Sequence, residues 1–116
     1  MIKEKTLNKL IDLLESIKLS ESFSTMRHVP TEYTLTLKRK LRNQLNQLTL
    51  DDIITLSVWV EIGKEMPSKE HLKTFEAQVS KRLKHKSDKE DLIDQLIRQE
   101  GLVDDLLKGK HLQNST

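Results

Sequence analysis

Residues 51–63, "DDIITLSVWVEIG", constrain the fold more than any other segment, because their hydrophobic pattern fits two kinds of secondary structure. Apolar residues occupy every second position from Ile54 to Ile62, which is the pattern of a half-buried strand. On a helix, the same residues are apolar on nearly every side, which is typical of a helix surrounded by other elements. The choice decides whether the fold contains a sheet.

A strand at this position would need a hydrogen-bonding partner, and the only other alternating stretch is the short "YTLTL" at residues 33–37. A ribbon of two strands is marginally stable alone. A helix is supported by Thr49, which precedes Asp52 by three residues, as in a capping box. Gly63 is expected to end this helix in a left-handed cap. The sequence therefore predicts a central buried helix near residues 51–62.

Two helices are predicted before this central one. The first has an apolar stripe at three- and four-residue spacing, formed by Leu7, Leu10, Ile11, Leu14 and Ile17. The polar stretch 20–30 is predicted to be a connector that carries Phe23 and Met26 inward. The second helix follows Pro30, with an inward face formed by Tyr33, Leu37, Leu41, Leu45 and Leu48.

Three helices are predicted after the central one. Ser68 is expected to cap a helix that runs to about His85, and Ser87 with Glu90 forms an S-x-x-E capping box for the next helix. Glycines are expected to end the last two helices, at Gly101 and Gly109. The first of these helices has Leu72, Phe75, Val79 and Leu83 on one face. The second has Leu92, Ile93, Leu96 and Ile97 inward, and the apolar residues Leu102, Val103, Leu106 and Leu107 predict a last short helix.

The predicted fold is all-α, a compact bundle of five to six helices. The chain has 116 residues, twenty of them leucine, and only four aromatic rings. That length suits one hydrophobic core. We expect a single helical domain over residues 1–112 and a flexible C-terminal tail at 113–116.

Composition limits the classes of function. The chain has no cysteine, which removes disulfides and thiolate metal sites. Its 20 basic and 18 acidic residues nearly cancel, unlike the large basic excess of a dedicated nucleic-acid binder. The charged N-terminus lacks the apolar core of a signal peptide, and no run is long enough to span a membrane. We expect a cytoplasmic protein without a membrane partner.

No residue pattern indicates catalysis, a metal or a cofactor. His28 and His85 each precede a carboxylate by three or four residues, but Pro30 and the Ser87 cap interrupt the helical spacing that a shared metal would need. The acidic residues near helix starts fit the helix dipole better than acid–base chemistry. Catalytic and phosphate-loop motifs are absent from the sequence. The sequence predicts a protein that is not an enzyme.

Two basic runs support nucleic-acid binding as an alternative function. The runs are "LKRKLR", at residues 37–42, and "SKRLKHK", at 80–86. In the second run, lysines lie opposite the apolar stripe and form an exposed face that could contact phosphates. The candidate nucleic-acid-binding residues are Lys38, Arg39, Arg42, Lys81, Lys84 and His85. A helix-turn-helix motif aligned on Gly63 does not fit the sequence. The motif needs a small residue where bulky Trp59 lies and an apolar residue where charged Lys69 lies.

Three apolar residues are candidates for partner binding. Trp59 is either a core residue, which we favour, or an exposed interface anchor. Leu7 and Leu14 lie on the first helix, which either completes the bundle or docks into a partner's groove. From these features we expect a non-enzymatic protein–protein interaction module of bacterial or phage type, whose partner is another protein or a second copy of the chain.

Residues 41–112 resemble small bacterial all-helical domains of unknown function. The features that carry this resemblance are Leu48 before the acidic helix start, Leu56 and Trp59 ahead of Gly63, and the closing set Leu102, Leu106, Leu107 and Gly109. The resemblance implies a helical fold. It implies no activity or ligand site, because function does not follow from fold alone.

Overall fold

The structure is a computed structural model, which describes residues 2–24, 32–86, 88–99 and 101–114. Within these ranges the chain forms six α-helices and no strand, so the all-α fold class is confirmed. The segment 51–62 is helical, as predicted. The six helices are α1 (Glu4–Ser24), α2 (Glu32–Asn46), α3 (Leu50–Glu65), α4 (Leu72–Lys86), α5 (Lys89–Arg98) and α6 (Leu102–Asn114).

The contacts between Cα atoms divide the chain into two units, Met1–Leu48 and Thr49–Thr116. Helices α1 and α2 belong to the first unit, and α3 to α6 belong to the second. Each unit has its own helix–helix contacts. The single domain over residues 1–112 stays a prediction.

The first unit is a pair of helices, α1 and α2, in contact with each other. Helix α1 is longer than predicted, because residues 20–24 of the expected connector are helical. The predicted inward positions of Phe23 and Met26 lie outside the described side chains. The buried residues of α1 are Leu7, Leu10, Leu14, Ile17 and Ser20, and those of α2 are Thr34, Leu37, Leu41 and Leu45.

A buried hydrogen bond between two hydroxyl groups joins the helices of the first unit. Ser20 Oγ and Thr34 Oγ1 are the two partners. Buried hydroxyl groups need such a partner, because leaving one unpaired costs about 1–3 kcal/mol. The prediction that Tyr33 faces inward is wrong: Thr34 takes the buried position, and Tyr33 is exposed. The Ser20 hydroxyl gives Thr34 a partner inside the unit.

Helix α3 is the central element of the second unit. It contacts α4, α5 and α6, which explains why its apolar residues are distributed around the whole helix. Thr49 caps it as predicted, since the Thr49 hydroxyl accepts a hydrogen bond of 3.2 Å from the Asp52 backbone N–H. Its buried residues are Ile53, Ile54, Leu56, Ser57, Val58, Trp59, Val60, Ile62 and Gly63.

Two glycines let α3 and α6 approach each other closely. A Cβ on Gly63 would overlap the backbone of Asp105, and a Cβ on Gly109 would overlap the backbone of Trp59. From Trp59 to Gly63 the contact residues follow the chain direction of α3, whereas their partners run backward along α6, from Gly109 to Asp105. The two helices are therefore antiparallel. Both glycines were predicted to end helices, and both predictions are wrong. Each lies inside a helix and is buried.

The helix ends of the second unit use other residues than predicted. Met66 forms the left-handed C-cap of α3, with φ 47° and ψ 57°, and its N–H bonds to the Ile62 carbonyl. Helix α5 ends at Arg98, and Gly101, with φ +66°, precedes α6. Helix α6 continues to Asn114, so the tail predicted from residue 113 begins inside a helix. Residues 115–116 lie outside the described ranges.

The starts of α4 and α5 also differ from prediction. The Ser68 hydroxyl lies 2.8 Å from His71 Nδ1, residues 69–71 form a turn, and α4 begins at Leu72. Asp88 is the N-cap of α5, because its Oδ1 accepts a hydrogen bond of 2.8 Å from the Asp91 N–H. The predicted cap Ser87 lies outside the described residues.

Candidate interaction surfaces

The three predicted partner-binding residues are all buried. Leu7 is 3% exposed, Leu14 is 7% exposed and Trp59 is 8% exposed. Side chains this deeply buried present little surface to a partner in this conformation. Their role in partner binding stays a prediction, and an exposed contact surface must be sought elsewhere.

Trp59 is held on both its backbone and its side chain. Its backbone packs against Gly109, and its indole Nε1–H donates a hydrogen bond to the Gln113 side-chain oxygen. A buried tryptophan usually needs such an acceptor for its N–H. Trp59 is therefore a core residue of the second unit, in agreement with the favoured alternative.

Three large apolar side chains next to the Ser20–Thr34 contact of the α1–α2 pair are exposed. Leu19 is 61% exposed, Tyr33 is 64% exposed and Leu35 is 44% exposed. Each is a sequence neighbour of Ser20 or Thr34, whose hydrogen bond brings this part of α1 next to the first turn of α2. We call Leu19, Tyr33 and Leu35 the hairpin-end residues. The exposure of Tyr33 was not predicted, because its spacing from Leu37 places both on one helical face.

The first basic run lies on α2 in the first unit. Lys38 is half-buried, and its Nζ lies 3.1 Å from Glu21 Oε1 on α1, so it takes part in an ion pair within the unit. Arg39 and Arg42 are exposed. Part of this run therefore serves contact between α1 and α2.

The second basic run lies on α4 in the second unit. Lys81, Lys84 and His85 are exposed, whereas Leu72, Val79 and Leu83 are buried on the other side of the helix. The predicted exposed basic face is thus present. Since the two basic runs belong to different units, each is treated as a separate surface.

A shallow depression lies on the exposed side of α4. Its volume is about 420 Å³, and the surface that lines it is mostly carbon. Ala77 lies between Lys73 and Lys81, four residues from each, so all three share one side of the helix. We call the lining residues the α4 outer surface: Lys73, Thr74, Ala77, Gln78 and Lys81. None of them is acidic. Lys73 and Ala77 were not predicted to belong to this face, although the four-residue steps from Lys73 to Ala77 and from Ala77 to Lys81 indicate it.

Arg82 lies beside this surface and faces a different group. Its Nη2 is 4.0 Å from Glu61 Oε2 on α3, and both side chains are partly exposed. A surface ion pair of this length contributes little to stability, about 0–1 kcal/mol. Its effect is to direct one cation of the run toward α3, away from the α4 outer surface.

In the described ranges, no three His, Asp or Glu side chains lie close enough together to hold a metal ion. Nor do these ranges contain a helix with the length and apolar character needed to cross a membrane.

Comparison with known proteins gives no relative for the chain. No family model matches it, and neither a curated protein nor a solved structure matches it significantly. The resemblance of residues 41–112 to small bacterial helical domains stays a prediction.

Proposed function

We propose that the chain is a non-enzymatic protein–protein interaction module. The observation that carries the proposal is the exposure of Leu19, Tyr33 and Leu35 next to the Ser20–Thr34 contact of the α1–α2 pair. Burying a leucine or a similar apolar side chain stabilises a complex by about 1.5–3 kcal/mol. Tyrosine is also among the residues that most often dominate binding energy at interfaces.

The hairpin-end residues are available to a partner because they are exposed, and replacing them should not disturb the core. Their exposed side chains contribute less to folding than the buried stripe of α1 and α2. The neighbouring Ser20–Thr34 hydrogen bond and the Lys38–Glu21 ion pair hold the two helices together at this end. A partner would thus meet apolar side chains on an already ordered backbone, which lowers the entropy cost of binding.

The first prediction is that Tyr33→Ser with Leu35→Ser removes a protein partner while the chain stays folded. The tagged protein is captured from a lysate of its own host, and the proteins bound to it are measured by mass spectrometry. The amount of one specific partner should be at least about tenfold lower with the variant than with the unmodified chain. Far-UV circular dichroism should keep the helical signal.

Leu50→Ser is the matched control, because Leu50 is an exposed leucine in the second unit. It should retain the partner. Capture of the same proteins in the same amounts by the Tyr33→Ser/Leu35→Ser variant would contradict the proposed contact surface.

Nucleic-acid binding is the second candidate function. It is favoured by the exposure of Lys81, Lys84 and His85 on one side of α4, and by the exposure of Arg39 and Arg42 on α2. Lysine and arginine side chains bind phosphates and release counterions, so such binding weakens steeply as salt increases.

The second prediction tests this candidate with Lys81→Glu and Lys84→Glu together. If the chain binds a labelled DNA duplex of about 20 base pairs through these lysines, the slope of log affinity against log salt should fall by about 2 in the variant. Fluorescence anisotropy at several salt concentrations measures this slope. Affinity and slope that both stay unchanged would remove the α4 lysines from the proposal.

A further inference from the structure

We propose that the α4 outer surface binds an acidic segment of a partner protein, in which an apolar side chain lies between carboxylates. This inference goes beyond the proposed function because it concerns a second surface, in the other unit, and gives the chemistry of its partner.

The shape of the surface favours an apolar side chain at its middle. Ala77 has the smallest side chain of the lining and lies midway between Lys73 and Lys81 in the sequence. The lining is mostly carbon, as expected where an alanine, a threonine and the aliphatic stems of two lysines lie together. A leucine-sized side chain placed there would remove apolar surface from water on both partners.

The charges of the surface favour carboxylates on both sides of that apolar side chain. Lys73 and Lys81 are separated by two four-residue steps, or about 12 Å along the helix axis. Lys84 and His85 extend the basic side beyond Lys81. No lining residue is acidic, so a partner's carboxylates would meet attraction at both lysines, reduced at Lys73 by Glu70 and Glu76, each three residues from it.

The same features favour an acidic protein segment over a nucleic acid. A phosphate backbone would use the lysines but would gain nothing from the carbon surface of the lining. Unpaired bases bind proteins by stacking on aromatic rings, and the lining contains no aromatic residue. An acidic segment with one apolar side chain uses both the charges and the depression.

The test uses a designed peptide and the full-length protein. The peptide is an alanine-rich helix of about fifteen residues, labelled with fluorescein, with a central leucine and glutamates one turn away on each side. It should bind the protein in fluorescence anisotropy, and replacing its leucine by serine should weaken binding about fivefold. Lys73→Glu with Lys81→Glu in the protein should weaken binding at least about tenfold.

Two protein variants serve as controls. Lys5→Glu with Lys9→Glu changes the net charge equally at two exposed lysines of α1 and should leave binding unchanged. Ala77→Gln keeps the charge but fills the depression with a polar side chain, so it should weaken binding about fivefold. Far-UV circular dichroism of each variant shows whether the fold is retained.

Four results would overturn the inference. The first is that the peptide does not bind, and the second is that the leucine and serine peptides bind equally. The third is that a DNA duplex binds more tightly than the peptide and that Lys73→Glu/Lys81→Glu abolishes this binding. The fourth is that the protein self-associates and that the same variant abolishes the self-association. A protein that binds the peptide but captures no protein from the lysate would instead contradict the proposed function alone. Loss of peptide binding with retained capture would contradict only the inference.

Discussion

Gly63→Ala and Gly109→Ala should each destabilise the second unit by about 2–3 kcal/mol, although alanine is the better helix former. The added Cβ would overlap backbone atoms, of Asp105 in the first variant and of Trp59 in the second. A backbone cannot rotate away as a side chain can, so α3 and α6 must separate. Helix propensity alone predicts the opposite sign, a gain of about 1 kcal/mol.

Denaturant unfolding followed by the fluorescence of Trp59 measures this effect, because the only tryptophan of the chain lies in the second unit. Gly101→Ala is the control. Gly101 has a positive φ but no atom within 4 Å of the added Cβ. It should cost about 1–2 kcal/mol, from backbone conformation alone. Stabilisation by Gly63→Ala or Gly109→Ala would show that the helices do not meet through these residues.

These glycines show what sequence reasoning could not reach. A glycine near the end of a hydrophobic pattern often ends a helix, and the local sequence fits that role at both positions. Each position instead requires glycine because it contacts the backbone of a helix that is distant in the sequence. Local periodicity does not reveal such a contact. In contrast, the helical state of residues 51–62 was predictable, because a strand there had no partner of adequate length.

The candidate surfaces were predictable only in part. The basic side of α4 follows from helical periodicity, since Lys81 and Lys84 lie opposite the buried leucines. The depression that Ala77 lines does not, because it depends on which neighbouring side chains are small. Tyr33 was misplaced because its four-residue spacing from Leu37 fits an inward face, whereas Thr34 is selected by a hydroxyl group on α1.

Trp59→Ala should cause the largest loss of stability, about 3–5 kcal/mol. The side chain is buried on the helix that contacts α4, α5 and α6, so its removal leaves a cavity in the second unit. Trp59→Phe keeps an aromatic ring but loses the N–H donor, and we expect a smaller loss of about 1–3 kcal/mol. Since both variants lack the fluorophore, far-UV circular dichroism in denaturant measures them.

Gln113→Ala tests the polar part of the Trp59 contact. It removes the acceptor of the indole N–H while the ring stays in place. The expected loss is about 1 kcal/mol, the usual contribution of one hydrogen bond. Because this variant keeps Trp59, quenching of its fluorescence also shows whether the indole becomes more accessible to solvent. The expected order is therefore Trp59→Ala as the largest loss, then Trp59→Phe, then Gln113→Ala. If Trp59→Ala kept nearly full stability but lost a protein partner, Trp59 would be an interface anchor, and the conformation that binds the partner would have to expose it.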